Sequence, residues 1–423
     1  MKRIITLFVA FIGMASMNQA LATHVKVDIR TAGQLSTLVE NTSCDSLTIS
    51  GNMNTTDFRF LKDKMPNLAY LDLNKVVLTD NKIPNSALRY KTTLQEVILP
   101  QNLETIDEYA FDQCKSLKKV IFPKTLKTLQ REAFSECPIS DGLQLPKNVT
   151  DIGILAFDYL QVSEITFPDS LRTIGEMAFR YSKLANITFP DSLQSIGNNA
   201  FYGCEQLQQV IFSKSIKTIG SNAFNQCFRL HTATLKCVTP PSISDNTFNY
   251  TNVFYVPEGA APKYKETSYW SNKIIIDGST PKKITVNLTT AGTLGEEILK
   301  QVDYVTDINE LVINGPLNED DFYQIQQRTT NLIGIDMTGA TIETLPERFF
   351  SERSAILDIK LPATLKSIGN YAFYRCYGLT QITIPEGVAS IGEDTFRECY
   401  SLKNILLPTT LTEIGGYTFY QCI

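Results

Sequence analysis

The chain has 423 residues, 43% of them apolar and 20% charged, with a formal net charge of −5. This is ordinary globular composition, long enough for two domains. No basic stripe stands out, which speaks against nucleic acid as a partner, and no stretch beyond the N-terminus approaches the roughly 18 apolar residues of a membrane span.

In chain order, Lys2 and Arg3 precede an apolar run from Ile4 to Met14, and Ala20-Leu21-Ala22 forms a small-x-small cleavage site. Residues 1–22 therefore read as a secretory signal peptide, with Thr23 the first mature residue. No cysteine follows the site, so a lipid anchor is not expected, and the expected location is secreted or cell surface.

From Leu94 onward one phrase recurs about every 23 residues: Pro-x-x-Leu-x-x-Ile-Gly-x-x-Ala-Phe-x-x-Cys. It reads PDSLRTIGEMAF from Pro168, PDSLQSIGNNAF from Pro190 and PATLKSIGNYAFYRC from Pro362. Each unit can bury about six apolar side chains, at roughly 1.5–3 kcal/mol apiece. Ordering its backbone and side chains costs about as much or more. One unit is thus marginal alone and must stack on copies of itself, which makes the fold a solenoid.

Within a repeat, Leu94, Val97 and Leu99 follow L-x-x-V-x-L, a short strand with Val97 and Leu99 inward. Pro100 ends it, having no N–H for a ladder. Leu103 and Ile106 return to the core. The next position is Gly153, Gly175, Gly197, Gly220, Gly369, Gly392 and Gly415 in successive copies, although Asp107 and Gln130 fill it first. A repeated Gly there implies either positive φ or close backbone approach. The Phe column runs Phe111, Phe134, Phe157, Phe179, Phe201, Phe224, then Phe373, Phe396 and Phe419, an aromatic spine once coils stack.

Seven of the nine cysteines, Cys114, Cys137, Cys204, Cys227, Cys376, Cys399 and Cys422, share one column, three residues after the Phe. Free buried thiols acting as small hydrophobes are the favoured reading, with disulfides between adjacent coils as the alternative for an exported chain. Zinc lacks the close Cys-x-x-Cys spacing it needs. The period shortens to 22 between Pro146, Pro168 and Pro190, and those two turns lack Cys. On this reading Cys204→Ser buries a hydroxyl with no assured partner, at about 1–3 kcal/mol, and Cys204→Ala is milder.

These repeats resemble the BspA-like (Treponema pallidum-type) leucine-rich repeats, over residues 94–236 and 354–423. Thr239-Pro240-Pro241, Phe248 and VFYVPEGAAPKYKETSYWSNKIIID from Val253 fit the stretch that closes such arrays. The resemblance implies a leucine-rich repeat solenoid of the α/β type, with short parallel strands on one face and irregular or short helical turns on the convex face. It also implies an adhesin-like surface or secreted protein, but supplies no binding motif to transfer.

A larger duplication is visible. HVKVDIRTAGQL at His24 matches KITVNLTTAGTL at Lys283, Leu47-Thr48-Ile49-Ser50-Gly51 matches Leu311-Val312-Ile313-Asn314-Gly315, and Asp57-Phe58 matches Asp321-Phe322. Two tandem units are expected, 23–280 and 281–423. Residues 23–93 form an N-terminal cap of degenerate repeats, 94–236 the repeats, and 237–280 a closing segment and linker. Residues 281–353 form a second cap, and 354–423 a second repeat run without a closing segment.

No catalytic residue, metal site or cofactor is expected. The only histidines are His24 and His231, the latter read as a strand surface residue, and no nucleophile motif accompanies either. Asp320-Asp321 reads as a solvated loop. Asp-Ser-Leu at Asp45, Asp169 and Asp191 resembles an O-glycosylation sequon, or is simply a repeat turn.

The outward x positions of the strands are the candidate ligand-binding face: Gln95, Glu96, Lys118, Lys119, Glu164, Thr166, Asn186, Thr188, Gln208, Gln209, Thr232, Thr234, Thr380, Gln381 and Thr383. Few aromatics lie among them, and sugars stack on aromatic rings, so a protein ligand, such as a host matrix or cell-surface protein, is expected. A glycan ligand, or a structural spacer with no ligand, is the alternative.

Overall fold

The computed structural model describes residues 24–422. The signal peptide expected at 1–22 and its cleavage junction lie outside the described residues. The fold is a parallel-strand β-solenoid of about 17 turns with little helix. Its residues group into two compact units. The first holds the residues through Glu205 with Ser213–Asn225 and Pro241–Thr247; the second holds Gln206–Phe212, Gln226–Pro240 and the residues from Phe248 on.

In the first unit, strands His24–Ile29, Ser46–Met53, Tyr70–Leu78, Glu96–Ile98 and Lys119–Ile121 pair in parallel, in that order. Val97 sits opposite Val120, so like residues meet from coil to coil. A second parallel ladder, not expected from the sequence, joins Lys82–Ile83, Thr105–Ile106, Thr128–Leu129, Asp151–Ile152, Thr173–Ile174, Ser195–Ile196 and Thr218–Ile219. These two-residue strands are too short for a period-two pattern. Their signal is a recurring polar residue followed by Ile or Leu, the latter pointing into the core.

The glycine that follows these pairs from Asp151–Ile152 onward is required by close approach. A Cβ on Gly197 would lie 2.5 Å from Glu176 N, and one on Gly153 2.5 Å from Gln130 C. Positive φ falls elsewhere, at two residues per coil on the turn side: Tyr109 (59°) and Gln113 (61°), Glu132 (53°) and Glu136 (51°), Leu155 (56°) and Tyr159 (64°). L-residues enter that region at a cost of roughly 1–2 kcal/mol. Each is held there by an N–H bond to the next coil: Tyr109 N donates to Arg131 O (3.0 Å), Gln113 N to Ser135 O (2.9 Å) and Glu132 N to Ile154 O (2.7 Å).

The aromatic spine is continuous in the first unit. Ring centroids are 4.9 Å apart for Phe111–Phe134, 5.7 Å for Phe134–Phe157, 5.6 Å for Phe157–Phe179 and 5.3 Å for Phe179–Phe201, all stacked. The Asp-Ser-Leu serines at 170 and 192 behave as repeat turns. Ser170 Oγ donates to Val149 O (2.6 Å) and Ser192 Oγ to Leu171 O (2.7 Å), each one coil back.

Cys114, Cys137, Cys204, Cys376 and Cys399 are buried free thiols. Burial pushes the Cys376 thiol up to about 12, keeping it in the unreactive form. The expectation for Cys204→Ser needs correction. Each thiol in the column has a partner: Cys204 Sγ donates to Phe179 O (3.2 Å) and Cys376 Sγ to Phe350 O (3.1 Å). In a coil without Cys, Ser182 Oγ makes the same bond to Phe157 O (3.4 Å). Cys204→Ser is therefore expected to cost under about 1 kcal/mol, and no more than Cys204→Ala, which forfeits the bond. Urea midpoints of the two variants check this; a serine clearly worse than alanine would contradict it.

In the second unit, Gln209–Phe212, Thr232–Leu235, Val253–Val256 and Ile274–Asp277 form one parallel sheet. Lys283–Asn287, Glu310–Pro316, Gly334–Thr341 and Asp358–Lys360 form another. Gln381–Thr383 pairs with Asn404–Leu406. Trp270, fully buried, packs against Phe254 (5.0 Å) and Tyr264 (5.2 Å) and so fills the closing segment. Phe350, Phe373, Phe396 and Phe419 continue the aromatic stacking.

The matched segments are built alike. Asn54 caps helix Thr55–Lys64, and Asn318 caps helix Glu319–Tyr323, each in a capping box with Asp57 or Asp321. Asp57 also accepts Gly33 N (2.7 Å) and Leu35 N (2.9 Å); Asp321 accepts Gly292 N (2.7 Å) and Leu294 N (2.9 Å). Asp321 is thus fully buried rather than part of a solvated loop. Its carboxylate is consumed by backbone N–H groups.

Candidate ligand-binding strand face

Alternation along each short strand sends every second side chain outward. Val97, Leu99, Val120, Ile187, Val210, Ala233 and Ile382 are buried, while all fifteen candidate residues keep solvent exposure. Gln95, Lys118, Glu164, Thr166, Asn186 and Thr188 are exposed on the first unit, and Glu96 and Lys119 are half-buried. On the second unit Gln208, Gln209, Thr380, Gln381 and Thr383 are exposed, and Thr232 and Thr234 half-buried.

Charges on this face tend to cancel between neighbouring coils. Lys119 pairs with Glu96 (3.0 Å), Lys283 with Glu310 (3.7 Å) and Lys360 with Asp336 (3.1 Å). Such exposed pairs add little stability, about 0–1 kcal/mol each, but they leave the face electrically quiet.

Within the second unit, three candidates converge. Gln208, Thr232 and Thr380 line a cavity of about 260 Å³ together with Arg229, His231, Leu357, Gly378, Ser401 and Lys403. Gln209, Thr234, Gln381 and Thr383 do not line it. Arg229 and Ser401 were not singled out by sequence, whereas Lys403 is an outward strand position. Arg229 and Ser401 precede the alternating strand positions, and the juxtaposition joins residues 170 apart, which no repeat period reveals.

His231 is not the surface residue that its strand position implied. It is 7% exposed, with Nε2 hydrogen-bonded to Ser401 Oγ at 2.5 Å. An aromatic cluster lies beside it: Phe228–Tyr400 at 5.3 Å, Tyr250–Tyr377 at 5.4 Å and a stacked Tyr377–Tyr400 pair at 5.3 Å. Burial pushes the imidazole down to about 4, with the Tyr250 backbone opposing the shift. The unfolded chain takes up this proton below about pH 6.5, before the fold does. Stability is therefore expected to be unaffected above that pH and to fall as pH drops toward 4, by about 3 kcal/mol in all. Urea unfolding at pH 7 and pH 4.5 should show the loss, and His231→Gln should remove this component; an unchanged pH dependence in the variant would contradict it.

Among the described residues, no group of three or more His, Cys, Asp or Glu is placed to hold a metal ion. No helix among them is long and apolar enough to cross a membrane.

The chain matches the BspA type leucine rich repeat region in six copies, over residues 81–153, 140–255 and 323–423. No curated protein matches it. Among solved structures it is similar to a leucine-rich repeat protein from Bacteroides ovatus, at 23% identity and a TM-score of 0.28 over 81% of this chain and 80% of that one. A leucine rich cell surface protein from Faecalibacterium prausnitzii is 19% identical with a TM-score of 0.31, over 96% and 83%. The T. pallidum leucine rich repeat protein is 19% identical with a TM-score of 0.19, over 62% and 77%. The family match spans more than half of the sequence and contains the strand, Ile-Gly and Ala-Phe columns described above: this chain belongs to the BspA-type leucine-rich repeat family.

Proposed function

We propose that the chain is a secreted or cell-surface, non-catalytic binding protein whose strand face engages a protein of a host or of a neighbouring cell. The observation that carries this reading is the face itself: a repeated array of outward Gln, Thr, Asn and Lys side chains on a rigid parallel ladder. Extended solenoid sheets are suited to protein recognition. Membership of a family built on such repeats supports the same reading. On this proposal residues 1–22 are removed on export, and 23–280 and 281–423 are two duplicated units, each opening on its own cap.

The mature chain, immobilised, should capture a distinct protein from host secretions or matrix extracts. The triple variant Gln208→Glu, Thr232→Lys, Thr234→Lys should lose it. A spacer without a ligand would capture nothing, and the variant would behave as the parent.

One observation favours a second reading, glycan binding. On the turn side, Tyr159, Tyr181 and Tyr202 form a ladder with centroids 5.1 and 5.6 Å apart, and Tyr159 is 42% exposed. Capture that is lost in Tyr159→Ser with Tyr181→Ser, but kept in the strand-face variant, would select it.

A further inference from the structure

We propose that the cavity of the second unit is an anion site that receives a carboxylate of an acidic peptide segment. The proposal deepens, and rests on, the reading of the strand face as a protein-binding surface.

Arg229 and Lys403 both line the cavity, and none of the residues lining it is acidic. Lys119 and Lys360 on the strand face each meet a carboxylate from the adjacent coil, Glu96 and Asp336. Here the adjacent-coil positions are neutral. Arg229 Nη1 donates to Gln206 Oε1 at 2.7 Å, and the residue one coil before Lys403 is Thr380, whose carbonyl accepts Lys403 N (2.9 Å). Two cations thus share one concavity without a counter-charge, on a chain whose net charge is −5.

The remaining lining suits a carboxylate. Gln208, Thr232 and Thr380 offer amide and hydroxyl donors, and the buried Ser401–His231 pair closes the floor. The imidazole is neutral at pH 7, its pKa held near 4, so the positive charge belongs to Arg229 and Lys403. A volume of about 260 Å³ admits a side chain and not a folded domain. Charge-assisted bonds from a guanidinium and an ammonium are the strong kind for carboxylate recognition. A peptide is favoured over a sulfated sugar because no Phe, Tyr or Trp lines the cavity to stack a pyranose. Gln209 and Gln381 flank the site as donors for a main chain.

The test is binding of fluorescent poly-L-glutamate to the full chain at low ionic strength, followed by thermophoresis. Saturable binding is expected. Arg229→Gln and Lys403→Gln should each weaken it about tenfold, with unchanged thermal melts. Lys147→Gln should leave it unchanged; Lys147 is exposed in the first unit and is not one of the strand-face candidates. Absence of binding, or equal loss with Lys147→Gln, would overturn the proposal. Tighter binding of dextran sulfate with the same two variants weakened would overturn the peptide assignment. Failure of the unmodified chain to capture any host protein while it still binds poly-L-glutamate would refute the functional reading and leave the anion site standing; capture without poly-L-glutamate binding would refute the site alone.

Discussion

Phe179→Ala is expected to destabilise the first unit by about 3–5 kcal/mol. Phe179 is fully buried, stacked between Phe157 (5.6 Å) and Phe201 (5.3 Å), with the edge of Phe167 at 5.6 Å. Those rings are fixed by their own coils and cannot collapse into the gap, so most of the removed volume stays as a cavity. A solenoid coil contacts only its neighbours, and the loss therefore falls on both interfaces at once. Phe419 occupies the same column but is 36% exposed and stacks on one ring, Phe396, at 5.7 Å. Phe419→Ala should cost about a third as much. Urea unfolding of the two variants measures the difference; equal losses would show that the spine does not carry the stacking.

Gly197→Ala should cost about 3 kcal/mol or more, at the upper end for an added methyl. Its Cβ would lie 2.5 Å from Glu176 N and 2.6 Å from Gly175 C, both backbone atoms of the preceding coil. The coils would have to part, at the expense of the Gly197 N bond to Ile174 O (2.8 Å) and the ladder of Ser195–Ile196 with Thr173–Ile174. Gly416 provides the control. No atom lies within 4 Å of its ideal Cβ and its φ is not positive. Gly416→Ala should be neutral or stabilising by up to about 1 kcal/mol, through the unfolded chain. A mild Gly197→Ala would mean that this column is not set by contact between coils.

Much of this architecture is legible in the sequence because a column residue meets the same surroundings in every coil. The Phe spine, the Cys column and the Gly approach are therefore written repeatedly. The match of Asp57 to Asp321 is legible for a related reason, since each carboxylate satisfies the same backbone N–H groups in the same capped turn. The left-handed positions are hidden because Tyr109, Glu132, Leu155 and Met177 hold them instead of Gly or Asn. What keeps those residues there is a bond to the next coil, a tertiary cause with no local signature. The outward strand positions followed from alternation alone. The gathering of Arg229, His231, Ser401 and Lys403 did not, because it depends on how distant coils of the second unit meet and not on any period.

The central claim is that recognition belongs to the strand face. It is tested most directly by comparing two variants against one captured partner in surface plasmon resonance. The first is the strand-face triple, Gln208→Glu, Thr232→Lys, Thr234→Lys; the second is a turn-face pair, Lys115→Ala with Glu136→Ala, which removes an exposed cross-coil ion pair. The account predicts that the strand-face variant loses binding at least tenfold while the turn-face variant binds as the parent does. Full binding by the strand-face variant, with loss in the turn-face variant, would contradict it.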